Sequence, residues 1–350
     1  MSQAKAPPPA SENPPGPERL ELAPGLNICR ILTGLWQVSG AHGPIRPQAA
    51  LESMGRYFDA GFTTFDLADH YGPAEDFIGE FRRRLKAERG PEALANLQAL
   101  TKWVPRPGPM PRSLVEQAIG VSLRRMDTPV LDLLQFHWWD YADLSYLEAL
   151  AHLAELQREG RIRHLALTNF DTRRLEIILK TGVRIVSNQV QYSLIDRRPE
   201  VEMVRLCEAN GVRLLAYGTL LGGLLSEKYL EQPEPRADQL TTASLRKYKQ
   251  MVDLWGGWRL FQELLRVLKF IADKHKVQIA NVATRYILDR PAVAGVIVGA
   301  RLGLADHWQD NARTAGFSLD SGDRTRIAVV LQRSQDLFRI IGDCGDEYRR

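Results

Sequence analysis

The sequence predicts an α/β fold, a (β/α)8 TIM barrel built as one domain with a long βα loop after the seventh strand and a C-terminal tail. Three observations predict it. From Ile31 onward, short apolar or β-branched runs alternate with longer segments of helical periodicity, and eight strands can be drawn this way. The turn after the first strand reads Gly34-Leu-Trp-Gln-Val-Ser-Gly40 and lacks the Gly-x-Gly-x-x-Gly signature of an open dinucleotide-binding sheet. Polar and ionisable residues also stand at the ends of successive strands, and a closed parallel barrel opens every strand's C-terminal end on one rim.

The strands fall at 30–35, 63–68, 99–103, 131–138, 164–169, 185–191, 213–218 and 295–299. Between them, 49–60, 74–87, 111–126, 144–159, 172–181, 200–210 and 281–289 carry apolar residues at i, i+3, i+4 spacing. In the fourth helix Leu147, Leu150, Ala151, Leu153, Ala154 and Leu156 form one side, Glu148, Glu155, Arg158 and Glu159 the other, and Gly160 stops it. Two stretches break the rhythm. Residues 222–257 are too long for a simple βα loop and read as a lid or binding loop, and 321–350 reads as a helix followed by a tail lying over the body. Residues 1–18 are rich in Pro, Ala, Ser and Glu and read as a disordered tail, leaving 19–350 as the barrel domain.

Composition narrows the function classes. The chain has 350 residues, 44% apolar and 25% charged, with a net charge of +4, and its basic residues are interleaved with acidic ones, so no nucleic-acid partner is expected. No apolar run nears the ~20 residues that cross a bilayer, so no membrane partner is expected either. Three scattered cysteines, Cys29, Cys207 and Cys344, match no zinc or redox spacing and point to reduced thiols in the cytoplasm. The seven histidines form no ligand cluster, so no metal is expected.

The chemistry gathers at strand ends. The second strand runs into Phe65-Asp66-Leu-Ala-Asp-His-Tyr71-Gly72, Lys102 ends the third within Thr101-Lys102-Trp103, and His137 ends the fourth within Gln135-Phe136-His137-Trp138. Each of these is more often structural when taken alone. Together and in order they converge on one rim. A phenol is a poor acid at neutral pH, but an adjacent ammonium lowers its pKa and a carboxylate keeps the Lys charged, so Tyr71 becomes a usable proton donor and acceptor.

These four residues, with the wording around them, resemble the catalytic tetrad of the aldo-keto reductases. The resemblance covers roughly residues 20–317. It implies that Tyr71 protonates a carbonyl oxygen as hydride leaves a nicotinamide, that Lys102 paired with Asp66 tunes it, and that His137 orients the carbonyl. It further implies that Thr168, Asn169 and Gln189 hold the nicotinamide carboxamide, that Tyr217 stacks on the ring, and that Gly299, Arg301, Asp310 and Asn311 grip the adenosine phosphate end. Leu302 stands where many relatives carry Ser or Thr and His307 where many carry Arg or Gln. Arg301 could pair with a 2′-phosphate, so NADP(H) is the favoured cofactor, while the departures at Leu302 and His307 keep NAD(H) as the other candidate. Among the rim aromatics, Trp36, Trp103 and Trp138 border tetrad or strand-end positions and are expected to line the substrate pocket. The expected activity is that of a monomeric reductase of small carbonyl compounds. The alternatives are an NAD-dependent aldose dehydrogenase and a cofactor-binding regulatory subunit resembling potassium-channel β subunits.

Overall fold

The computed structural model describes residues 16–40, 43 and 45–349; most of the tail expected over 1–18 lies outside them. Eight parallel strands close into a barrel: β3 (Ile31–Gly34), β4 (Thr64–Asp66), β5 (Gln98–Trp103), β6 (Leu131–His137), β7 (Ile162–Thr168), β8 (Ile185–Gln191), β9 (Arg213–Tyr217) and β10 (Val293–Gly299), with β10 pairing back onto β3. All eight expected strands form, each within about three residues of its expected bounds.

A hairpin that the sequence reading did not draw precedes them, β1 (Arg19–Ala23) and β2 (Leu26–Cys29), turning at Pro24-Gly25. Its Leu22, Ala23, Leu26 and Ile28 form one buried cluster with Leu32, Leu100, Leu133, Ala166, Val186, Leu215 and Ala294 from the barrel strands. The hairpin thus plugs the N-terminal end of the barrel and leaves the opposite rim for chemistry. A second cluster fills the layer between sheet and helices.

The outer helices are α1 (Pro47–Asp59), α2 (Ala74–Ala95), α3 (Arg112–Arg125), α4 (Ser145–Arg158), α5 (Thr172–Lys180), α6 (Met203–Asn210), α7 (Ala243–Trp255), α8 (Gly257–His275), α9 (Ile279–Leu288), α10 (Trp308–Ala312), α11 (Ser321–Leu331) and α12 (Leu337–Ile341). The long stretch after β9 is not a plain loop, because it contains α7 and leads straight into α8, which the sequence reading left undrawn. Phe261, Leu264, Leu265, Leu268, Ile271 and Ala272 of α8 are buried at helical spacing.

Strand alternation decides what each side chain meets. In β5 Leu100 and Lys102 point inward while Ala99, Thr101 and Trp103 face the helices, and in β6 Leu133, Gln135 and His137 point inward. In β8 the parity shifts: Leu165 and Leu167 of β7 pair with Ile185 and Asn188, so β8 carries one extra residue there. That bulge lets Val186 line the lower interior and Gln189 the upper.

Helices α2 and α3 pack closely at Gly79, where an added Cβ would stand 2.0 Å from the Arg125 carbonyl oxygen. Gly79→Ala should therefore lower the unfolding free energy by about 1–3 kcal/mol. Gly55→Ala on α1, where a Cβ meets nothing within 4 Å, should be neutral or stabilising by about 0.5–1 kcal/mol. Urea unfolding of the two variants beside the wild type checks this, and a Gly79→Ala protein as stable as Gly55→Ala would contradict the packing.

Candidate active site

The rim is organised around an ion pair inside the barrel. Asp66 ends β4 and Lys102 stands one residue before the end of β5, both side chains turned inward and exposed by only 4% and 2%. Lys102 Nζ donates to Asp66 Oδ2 at 2.7 Å and to the Leu67 carbonyl at 2.9 Å. The other carboxylate oxygen accepts from Gln135 Nε2 at 2.9 Å and from Gln189 Nε2 at 2.8 Å. Burial lowers the Lys102 pKa and Asp66 opposes that shift. Removing one member of such a pair leaves an uncompensated buried charge, at a cost of roughly 3–5 kcal/mol.

Tyr71 lies in the loop after β4 with its amide on the Ala68 carbonyl at 3.1 Å. The loop is tied to β5: the Asp69 amide donates to the Lys102 carbonyl at 3.0 Å and Asp69 Oδ2 accepts from the Val104 amide at 3.2 Å. Lys102 Nζ stands 5.0 Å from the centre of the Tyr71 ring, and Trp36 meets that ring edge-on at 5.0 Å. Here the structure corrects the sequence reading of the phenol. Burial, and then the charge of Asp66, push the Tyr71 pKa well above 10, opposite to the lowering that the ammonium was expected to bring. Tyr71 is thus held as a neutral phenol.

His137 ends β6 on the same rim. It is 3% exposed, its ring centre is 4.3 Å from that of Trp139, and its Nε2 is buried without a hydrogen-bond partner. Burial, followed by the nearby Arg349 charge, brings its pKa down to about 3, so the ring is neutral.

Of the three expected pocket aromatics, Trp36 reaches the site and two do not. Trp103 and Trp138 each follow an inward residue, so the pleat turns them outward. Trp103 packs on Phe136, while Trp138 is fully buried beside Phe136 and Tyr146, its Nε1 donating to the Asp140 and Asp143 carbonyls. Trp139, one residue on, takes the place against His137.

The residues expected around a nicotinamide stand together on β7, β8 and β9. Thr168 pairs with Gln189, its Oγ1 buried and without a partner. Asn169 adopts φ +57° and its Oδ1 accepts from the Tyr217 hydroxyl at 2.9 Å. Buried unpaired polar atoms are costly and mark places that a ligand completes. With two amides and an aromatic ring beside them, Thr168 Oγ1 and His137 Nε2 fit a carboxamide-bearing ring and a carbonyl oxygen.

The adenosine end is less complete. Gly299 ends β10 beside Gly34, and the Gln37 amide occupies the space where a Cβ would be. Arg301 is exposed and forms a bridge with Ala305, whereas Leu302 is fully buried. Asp310 and Asn311 lie on α10, which is only five residues long, and the Asp310 carbonyl accepts from Asn281 Nδ2 at 2.6 Å. Among the described residues no group of three metal-ligating side chains converges, and no helix is long and apolar enough to cross a membrane.

The C-terminal segment after α12 closes over the rim, a placement for which the sequence carried no motif. Glu347 accepts from the buried Arg198 at 2.9 Å, and Arg198 is gripped from below by Asp196. Burial alone would raise the Glu347 pKa, but Arg198 and Lys247 bring it below the usual value. Glu347 Oε1 and Tyr348 Oη each lie 3.2 Å from the Tyr217 hydroxyl, Asp343 Oδ2 accepts from the Thr172 amide at 2.7 Å, and Arg349 donates to the Trp138 carbonyl at 2.7 Å.

Comparisons with known proteins bear on the family and the fold. Residues 30–331 match the Aldo/keto reductase family. The chain is 25% identical over 320 residues to aldo-keto reductase YhdN of Bacillus subtilis, covering 89% of this chain and 92% of that one. It is 31% identical over 305 residues to flagellar radial spoke protein 5 of Chlamydomonas reinhardtii, covering 70% of this chain but spanning only 58% of that protein's length. A crystal structure of a thermostable aldo-keto reductase in complex with the inhibitor epalrestat superposes with TM-score 0.69 at 26% identity over 89% of this chain and 99% of that one. The chain belongs to the aldo/keto reductase family and is an NAD(P)H-dependent oxidoreductase.

Proposed function

We propose that the chain reduces small aldehydes, ketones or sugars with NADPH, with Tyr71 as the proton donor. The observation that carries this reading is the neutral Tyr71 phenol held above the buried Asp66–Lys102 pair, on the same rim as the unpaired His137 Nε2. The reduced nicotinamide supplies the hydride when bound. Thr168, Asn169 and Gln189 would hold its carboxamide and Tyr217 its ring, while Gly299, Arg301, Asp310 and Asn311 would serve the adenosine end.

The residues then divide the work. His137 orients the carbonyl oxygen and, being neutral, adds no competing charge. Tyr71 delivers its proton to that oxygen, and Lys102 stabilises the phenolate left behind. At neutral pH the phenol is in the protonated form that donation to a carbonyl requires. Trp36 and Trp139 give the acceptor an apolar, aromatic setting. The exposed Arg301, two residues after Gly299, supports reading of a 2′-phosphate. Three separate, buried thiols fit a reducing compartment, the cytoplasm.

Tyr71→Phe should bind NADPH within about twofold of the wild type by fluorescence titration while turnover falls roughly 10²–10⁴-fold; near-normal turnover would end the proton-donor reading. Arg301→Ala should weaken NADPH about tenfold or more and NADH little. Equal losses would assign Arg301 no part in reading the phosphate, and a wild type binding NADH more tightly would favour the dehydrogenase. His137 has its own test. Because its folded pKa is depressed to about 3, its contribution is intact above the unfolded value near 6.5 and is lost as pH falls toward 3. The wild type should therefore lose on the order of 1 kcal/mol more stability per pH unit than His137→Gln between pH 6 and 4. Parallel stability curves would contradict a depressed His137.

A further inference from the structure

Gln135 stands two residues before His137 on β6 and is fully buried inside the barrel. It has no place in the chemistry derived so far, yet it closes a ring of hydrogen bonds beneath the rim. Its Nε2 donates to Asp66 Oδ1 at 2.9 Å, its Oε1 accepts from Gln189 Nε2 at 2.6 Å, and Gln189 Nε2 also donates to Asp66 Oδ1 at 2.8 Å.

The orientation of both amides follows from their partners. Asp66 receives the Lys102 ammonium on Oδ2 and, as a carboxylate, only accepts, so each glutamine must present its NH2 to Oδ1. Gln189 then has both N–H groups engaged, one on Asp66 and one on Gln135. Its Oε1 is the one group it has left to offer a ligand. Asn169 is polarised the opposite way: the Tyr217 hydroxyl donates to its Oδ1, which leaves its NH2 to donate. An acceptor from β8 and a donor from the end of β7 match the N–H and C=O of one primary carboxamide.

We propose that Gln135 is a positioning residue that sets the polarity of Gln189, so that Gln189 accepts from the nicotinamide carboxamide N–H instead of donating to its carbonyl. The inference rests on the reading that Gln189 contacts the carboxamide. Without the Gln135 oxygen, the second N–H of Gln189 loses its acceptor, and the amide gains a reason to turn toward the ligand as a donor. The same residue links the tetrad to the cofactor groups, because the carboxylate it bonds is the one that pairs with Lys102.

The test compares NADP+ with its 3-acetylpyridine analogue, which keeps the carbonyl but carries a methyl group in place of the NH2. Both are titrated against wild type, Gln135→Met and Gln135→Leu by quenching of tryptophan fluorescence, with circular dichroism to confirm folding. One net hydrogen bond corresponds to a preference of about 5- to 10-fold for NADP+ in the wild type. In the folded variants the ratio should fall to within about twofold, with the analogue's own Kd little changed. A ratio that survives, or equal losses for both ligands, overturns the role of Gln135 and leaves the Gln189 contact standing. A wild type that does not distinguish the two ligands overturns the Gln189 contact on which the inference rests.

Discussion

The structure at the rim depends on one buried ion pair, Asp66 with Lys102. A carboxylate and an ammonium taken out of water are stable only when their remaining hydrogen-bonding capacity is met. Here Leu67, Gln135 and Gln189 supply those partners. The fold makes this possible because parallel strands end at one level, so residues 36 apart in the chain come within 2.7 Å. Above the pair the groups are uncharged: the phenol of Tyr71 and the imidazole of His137 are both kept neutral by burial. Charge lies beneath the rim and neutral polar groups lie on it. This arrangement suits stabilising a phenolate that exists only while a proton is away.

The C-terminal segment adds a second, separate electrostatic unit. Arg198 is held between Asp196 and Glu347, and Glu347 in turn touches the hydroxyl of Tyr217. The last turn of the chain is thereby fastened to the strand ends expected to receive the nicotinamide. Arg349 carries the same unit to His137, where its charge helps keep the imidazole neutral. The environment of His137 is therefore set in part by a residue more than 200 positions further along the chain.

The barrel strands, and the gathering of Asp66, Tyr71, Lys102 and His137 at one rim, were legible in the sequence because alternation of apolar runs and polar strand ends are local signals. What escaped had physical reasons. The β1–β2 hairpin is short and its inward residues match a composition that also fits a loop. Helix α8 was hidden by the assumption that the insertion ran as loop up to its start, although its apolar spacing is clear. Trp103 and Trp138 were placed by closeness in sequence to inward residues, whereas the pleat sends immediate neighbours to opposite faces; the same rule, applied two residues before His137, would have marked Gln135. The phenol's raised pKa could not be read from residue types, since it depends on how deeply the phenol is buried. The closing of residues 343–349 over the rim rests on contacts with Thr172, Arg198 and Tyr217 that no local pattern encodes.

The central claim is that Asp66 and Lys102 act as one unit beneath Tyr71. A double-mutant cycle with Asp66→Asn, Lys102→Met and the pair together, measuring NADPH-dependent turnover of one aldehyde, tests it most directly. The account predicts strong non-additivity, with the double variant losing no more activity than the worse single variant. Losses that multiply, each residue contributing independently of the other, would contradict it.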